Sequence, residues 1–387
     1  MESLSQKDLL LLINSVFSPR SCDKHLGILI DVPDAKSPDH KDWKKRREMA
    51  ADWAEKLRTI RKDLDFESVD LLVYPNVHSN NADLPSTAYS VHDFVEPLTS
   101  EILKDWPDAR DFRNLLSKYQ IIMAPTQFST TAPLKMLAKK FGFRAATMPG
   151  FSELMIPALK LNYDEINRRV LCIKKILDPA TALDIQFNLS SGQVFNMHFD
   201  LRFRESHASG GRFPETGTAG NLPSGECYIV PYEGEMDTPS ATEGVLPVQL
   251  KDEVILYEIN GNRAVNIIST GPVSKTEKEK IIHEPAYANI AEIGFGVLND
   301  FNIQPIGQIL LDEKLGLHIA FGRSDHFGGS VGVKDFSSPE AVEHTDRIYL
   351  PGLQDQIRIK RVDVFQPEQK ISLMTDNQYQ NHIFDSP

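Results

Sequence analysis

Tyr119-Gln120-Ile121-Ile122-Met123-Ala124-Pro125-Thr126, Gln127-Phe128-Ser129-Thr130-Thr131, Ala132 to Phe141 and Arg144-Ala145-Ala146-Thr147-Met148 follow one another without a gap longer than a turn. The first piece is a short apolar run of strand type, the second a polar loop, the third a helical pattern and the fourth another short strand. Strand, loop, helix, strand in this order requires a crossover connection and therefore a mostly parallel sheet with helices packed on it. The Ser129-Thr130-Thr131 loop reads as a cap for the helix that follows rather than as an anion site.

The same alternation extends towards the N-terminus. A helix is expected over 6–16, a buried strand over 26–33, a long charged helix over 42–64 and a second strand over 69–76. Beyond Met148-Pro149-Gly150-Phe151 one more helix is expected to about residue 169, and then the texture changes. Short strands separated by Gly, Pro and Ser are expected over 184–189, 194–199, 227–231, 244–249, 253–259 and 263–268, the pattern of an antiparallel meander. The expected fold class is α/β. An N-terminal domain over 1–170 carries the mostly parallel sheet with flanking helices, and a C-terminal α+β domain over 171–387 carries a largely antiparallel sheet and the chemistry. The polar loop over 206–220 is a candidate wall or lid.

The composition restricts partners. At 387 residues, with 41% apolar and 25% charged residues, the chain has the make-up of a globular protein of two domains. A formal net charge of −12 argues against nucleic acid and against anionic membrane surfaces. No apolar run is long enough to cross a bilayer, and the first residues lack the features of a signal peptide. Cys22, Cys172 and Cys227 are far apart, which is neither a disulfide framework nor a thiolate zinc site. A cytoplasmic location is the expectation. No glycine-rich phosphate loop is present, so nucleotide binding has no support.

Chemistry is concentrated after residue 220. Glu226 opens the apolar strand that follows Asn221-Leu222-Pro223-Ser224-Gly225, and Glu292 lies inside Ala291-Glu292-Ile293-Gly294-Phe295-Gly296. A carboxylate in such surroundings is costly to bury unless a cation meets it. Cys227, next to Glu226, should point to the opposite face of its strand. His318 lies in an apolar strand, where a histidine is commonly a satisfied core residue. His344 and Asp346 stand two apart, so on a strand they share a face; a simple His–Asp hydrogen bond at a strand end is the alternative. Two Glu, two His and one Asp, with no thiolate, suit Zn, Co, Mn or Fe(II). Five such groups can hold two ions if one carboxylate bridges.

Asn221-Leu222-Pro223-Ser224-Gly225-Glu226, Ala291 to Gly296, Asp312-Glu313-Lys314 with Leu317-His318-Ile319-Ala320-Phe321-Gly322, and His344-Thr345-Asp346 resemble, in that order, the motifs of the aminopeptidase T family. These are leucyl-aminopeptidase-like metallopeptidases of the AmpS or PepS type. The resemblance implies that Glu226, Glu292, His318, His344 and Asp346 are ligands of two divalent ions (Zn, Co or Mn). It implies catalytic roles for Glu226 and Glu292, removal of N-terminal residues from peptides, and a homodimer; a non-peptide amidase acting on a small amide is an alternative. Two aromatics of the family are missing. Its tyrosine after the Ile-Ala-x-Gly histidine has no counterpart in Arg323 to Gly329, where His326 is the candidate replacement as ligand or proton donor, and its tryptophan is Thr345. The chain also resembles a ring-cleaving iron enzyme acting on dihydroxypyridine. That alternative needs one Fe(II) held by His318 or His326 with His344 and Asp346.

Overall fold

The computed structural model describes residues 3–385. The chain forms two compact units, one of residues 1–166 with 211–224, the other of residues 167–210 with 225–387.

The first unit is built on a seven-stranded sheet in the order Ala219–Asn221, Arg144–Thr147, Ile121–Ala124, His25–Val32, Ser68–Pro75, Thr87–Val91, Ala109–Asp111. The first five run parallel and the last two are added antiparallel. Its helices include Gln6–Phe17, Lys41–Ile60 and Thr131–Phe141, close to the expected spans. The first two start at residues whose side chains cap them, Ser5 and His40. Ser5 and Asp8 form a reciprocal capping box for the first. Thr130, the N-cap of the helix Thr131–Phe141, makes no side-chain cap bond. The Thr131 and Ala132 N–H groups instead donate to Ser129 Oγ and to Asn81 Oδ1, the latter some fifty positions earlier in the chain.

Strand order reverses between Ile121–Ala124 and His25–Val32, the place where open parallel sheets commonly take ligands. Here the chain fills that place itself. Asp31, 1% exposed, accepts hydrogen bonds from the Gln127 N–H (2.7 Å), the Phe128 N–H (3.0 Å) and Trp43 Nε1 (3.0 Å).

The chain leaves the first unit inside the helix Tyr163–Leu177 and comes back to it for 211–224. The loop over 206–220 is thereby divided. His207–Ser209 is an edge strand of the second unit, and Ala219–Asn221 is the outermost parallel strand of the first. Strands of three residues carry no readable period, which is why they read as loop.

The second unit holds two antiparallel sheets. One has eight strands in the order Arg263–Ile267, Glu253–Asn260, Glu243–Leu250, Val194–Asp200, Ala182–Leu189, Ile357–Gln366, Gln369–Thr375, Gln378–Tyr379. The other has five: His344–Ile348, Leu317–Gly322, Ile290–Gly296, Glu226–Ile229, His207–Ser209. Period-two alternation sorts the five-stranded sheet into two faces. Cys227, Ile293, Phe295, Leu317, Ile319 and Phe321 point one way and are buried as core. The other face carries the polar groups.

Candidate metal centre

Register brings those polar groups together. Glu226 pairs with Gly296, Tyr228 with Gly294, Gly294 with His318, Glu292 with Ala320, Ala320 with Asp346 and Gly322 with His344. Glu226, Glu292, His318, His344 and Asp346 therefore share one face across four adjacent strands. A bulge between Ile290 and Glu292, where two residues oppose one, sets the facing of Glu292. Gly294 leaves the room the histidine needs, because a Cβ there would lie 1.9 Å from His318 Nε2.

Glu226, Glu292 and His318 are almost wholly buried, and one potential ligand atom from each lies within 4.8 Å of the others. His318 Nε2 is 3.2 Å from Glu292 Oε1 and 3.6 Å from Glu226 Oε2. His344 Nε2 is 3.5 Å from Glu292 Oε2 and 3.6 Å from Asp346 Oδ1. Three of these four spacings are too long for good hydrogen bonds. They match the edges, about 3.4 Å, of a tetrahedron of ligands around an ion with bonds near 2.1 Å. Glu226 Oε2 is buried and has no hydrogen-bond partner.

Both histidines are oriented by their other nitrogen. The Nδ1–H of His318 donates to the Gly316 carbonyl (3.2 Å) and that of His344 to the Arg323 carbonyl (2.8 Å). Nε2 is thereby turned to the carboxylates, as is usual for metal-binding imidazoles whose other ring nitrogen is held by a backbone carbonyl. The donor set, its spacing and the orphaned oxygen all fit a divalent cation.

The charges of the cluster are strongly coupled. Burial pushes Glu226 above the ordinary carboxylate range despite Lys314 and His318. Burial also acts on Glu292, but the His318 and His344 imidazoles facing it outweigh burial and hold that carboxyl far below the range. In the same way burial is outweighed at His318, which Glu292, Glu226 and Asp346 raise to about 9, and at His344, which Asp346 and Glu292 raise well above its usual value. Glu313 is pushed up to about 8 by burial, against the pull of Lys314.

His326, expected beside this set, lies in the short 3₁₀ turn Asp325–Phe327, its ring 5.5 Å from that of His344. It is not part of the set Glu226, Glu292 and His318, whose potential ligand atoms all lie within 4.8 Å of one another. Burial and the neighbouring His344 and Arg323 push its pKa down to about 4. Phe327 packs against both His344 (5.3 Å) and Tyr228 (4.9 Å), and Tyr228 stacks on His207 (5.2 Å), which walls one side of the cluster with aromatic rings. Glu235 and Glu284 are engaged elsewhere, with Arg204 and with Ser337.

Lys314 stands in the Asp312-Glu313-Lys314 motif, but the sequence alone assigns it no role in the cluster. It is 2% exposed, and its Nζ bonds Glu226 Oε1 (2.5 Å) and Glu313 Oε1. The readable sign was a charged pair, Glu313-Lys314, set between Leu310-Leu311 and Leu315.

Similarity to known proteins is confined to architecture. The fold matches a 2,5-dihydroxypyridine dioxygenase from Pseudomonas putida KT2440 with a TM-score of 0.57 at 15% identity, covering 98% of each chain. It matches wild-type AmpT, aminopeptidase T, from Thermus thermophilus with a TM-score of 0.53 at 12% identity, covering 97% of this chain and 98% of that one. No protein-family model matches the chain. No curated protein matches it either. The likeness establishes a two-unit α/β fold held in common with an aminopeptidase and a dioxygenase. No helix among the described residues is long and apolar enough to cross a membrane.

Proposed function

We propose that the protein is a divalent-metal-dependent hydrolase that removes N-terminal residues from peptides or cleaves a small amide. The observation that carries this reading is the position of Glu292, whose two oxygens face two different histidines. Glu226, His318 and Glu292 would hold one ion, and Glu292, His344 and Asp346 a second, with Glu292 common to both. Zn, Co or Mn suits these donors. Ions so bound supply an activated water at neutral pH and polarise the scissile carbonyl.

The chain's own residues account for the rest. Gly316 and Arg323 carbonyls fix the two imidazoles. Tyr228 and Phe327 exclude water from one side. His326 stands in the wall next to His344, where a neutral imidazole can accept or donate a hydrogen bond to substrate. We place the enzyme in the cytoplasm as a homodimer; light scattering checks the second point.

A second reading has one observation in its favour. Lys314 already pairs with Glu226, and if that removes Glu226 from ligation, His318 and His344 with one carboxylate remain, the set suited to Fe(II) and dioxygen. Metal analysis and two assays separate the readings. Two Zn, Co or Mn per chain with release of chromophore from aminoacyl anilides supports the hydrolase. One iron with dioxygen uptake on a dihydroxypyridine supports the oxygenase. Cleavage of simple amides without action on anilides of amino acids would narrow the hydrolase to a non-peptide amidase.

A further inference from the structure

We propose that Lys314 is a resident cation that holds Glu226 to one free oxygen and lowers the affinity of the centre for its divalent ion. The proposal rests on the metal reading above. It begins from how firmly the lysine is placed. The Leu298 N–H donates to the Lys314 carbonyl (2.9 Å), the Lys314 N–H donates to the Leu311 carbonyl (2.9 Å), and the Gly296 N–H donates to the Gly316 carbonyl (2.9 Å). A Cβ at Gly296 would lie 2.2 Å from the Lys314 carbonyl carbon, so the glycine is what lets this backbone approach the strand.

A lysine buried to this degree is tolerated because two carboxylates meet it, Glu226 and Glu313. An ammonium group has three donors and no lone pair, so it acts here by charge and hydrogen bonding alone. It occupies Glu226 Oε1 and leaves Oε2 buried, unpartnered and facing His318. Glu226 can therefore present one oxygen, not two. The positive charge sits on the same carboxylate that would ligate the ion and opposes the ion's own charge. Lys314 is a positioning residue: it neutralises the cluster when the ion is away and keeps the ion exchangeable when it is present.

The test is zinc titration by calorimetry, together with the zinc-induced rise in unfolding midpoint, for the parent, Lys314→Met and Lys314→Arg. Lys314→Met should bind Zn²⁺ on the order of tenfold tighter or more. Its zinc-induced rise should exceed the parent's, because Glu226 and Glu313 then depend on the ion for neutralisation. Lys314→Arg, which keeps the charge, should stay close to the parent. Equal or weaker binding by Lys314→Met, with an unchanged zinc-induced rise, would overturn the proposal and leave Lys314 a packing element. If Lys314→Met is unfolded without metal, recovery of folded protein on adding Zn²⁺ supports the proposal and failure to recover overturns it. A parent that binds no Zn²⁺, Mn²⁺ or Co²⁺ would instead defeat the metal reading itself.

Discussion

Asp31 and Glu292 are both buried carboxylates on strands, and they are used in opposite ways. Asp31 takes two backbone N–H groups and the Trp43 indole at 2.7 to 3.0 Å, so its charge is met by fixed donors with ordinary hydrogen-bond lengths. Burial still lifts its pKa, and the loop after Ile121–Ala124 is pinned in return. Glu292 meets two imidazoles at 3.2 and 3.5 Å, with the unpartnered oxygen of Glu226 close by. Four carboxylates, Glu226, Glu292, Glu313 and Asp346, stand there around a single lysine and two histidines. A saturated carboxylate is a structural element. An unsaturated cluster on one face of a sheet is a place for a cation.

That contrast can be broken by substitution. Glu292→Gln keeps shape and removes the charge common to both halves of the centre. Changes to groups behind metal ligands already cost 10- to 100-fold, so loss of this one should lower metal affinity and turnover by more than about 100-fold, with circular dichroism unchanged. Asp31→Ala should do the reverse. It strands three donors, each worth about 1–3 kcal/mol when left unpaired, and should lower the unfolding midpoint of the first unit while metal content holds. Gly294→Ala tests the room left for His318: the added methyl must displace the imidazole, and metal affinity should fall by about tenfold or more.

The smallest effect sharpens the structural side. Asp70 is held below the usual range although burial opposes it, because Ser68, Tyr119 and Lys118 bond its carboxylate. A carboxyl depressed in the folded state adds stability above its unfolded pKa of about 3.9, and that stability is lost as pH falls through the folded pKa. Asp70→Asn should therefore lower stability near neutrality, with the gap to the parent closing as pH falls below about 4, so that denaturant titrations across this range show a flatter acid limb.

Much of this was legible in the residues. The parallel sheet follows from the order of strands and helices, and the six antiparallel strands expected over 184–268 start within two residues of their expected positions, whereas Ile357–Gln366 and Gln369–Thr375 were not anticipated. Glu292 stood out because a charge inside Ala291 to Gly296 has no cheap explanation, whereas His318, His344 and Asp346 gained weight only as members of the set. Their convergence depends on register, on the bulge before Glu292 and on which strands are neighbours, none of which a period-two pattern encodes. The role of Lys314 was not legible, because the Asp312-Glu313-Lys314 motif does not say which groups lie next to it in space. Asn81 escaped as the cap of a helix fifty residues away for the same reason.

The most direct measurement is anomalous X-ray scattering from crystals of the zinc- or manganese-loaded protein. The account predicts one peak bonded to Glu226, Glu292 and His318 and another bonded to Glu292, His344 and Asp346, each at about 2.0–2.2 Å from its ligand atoms. Saturating metal with no peak near Glu292, while the same side chains keep their places, would contradict it.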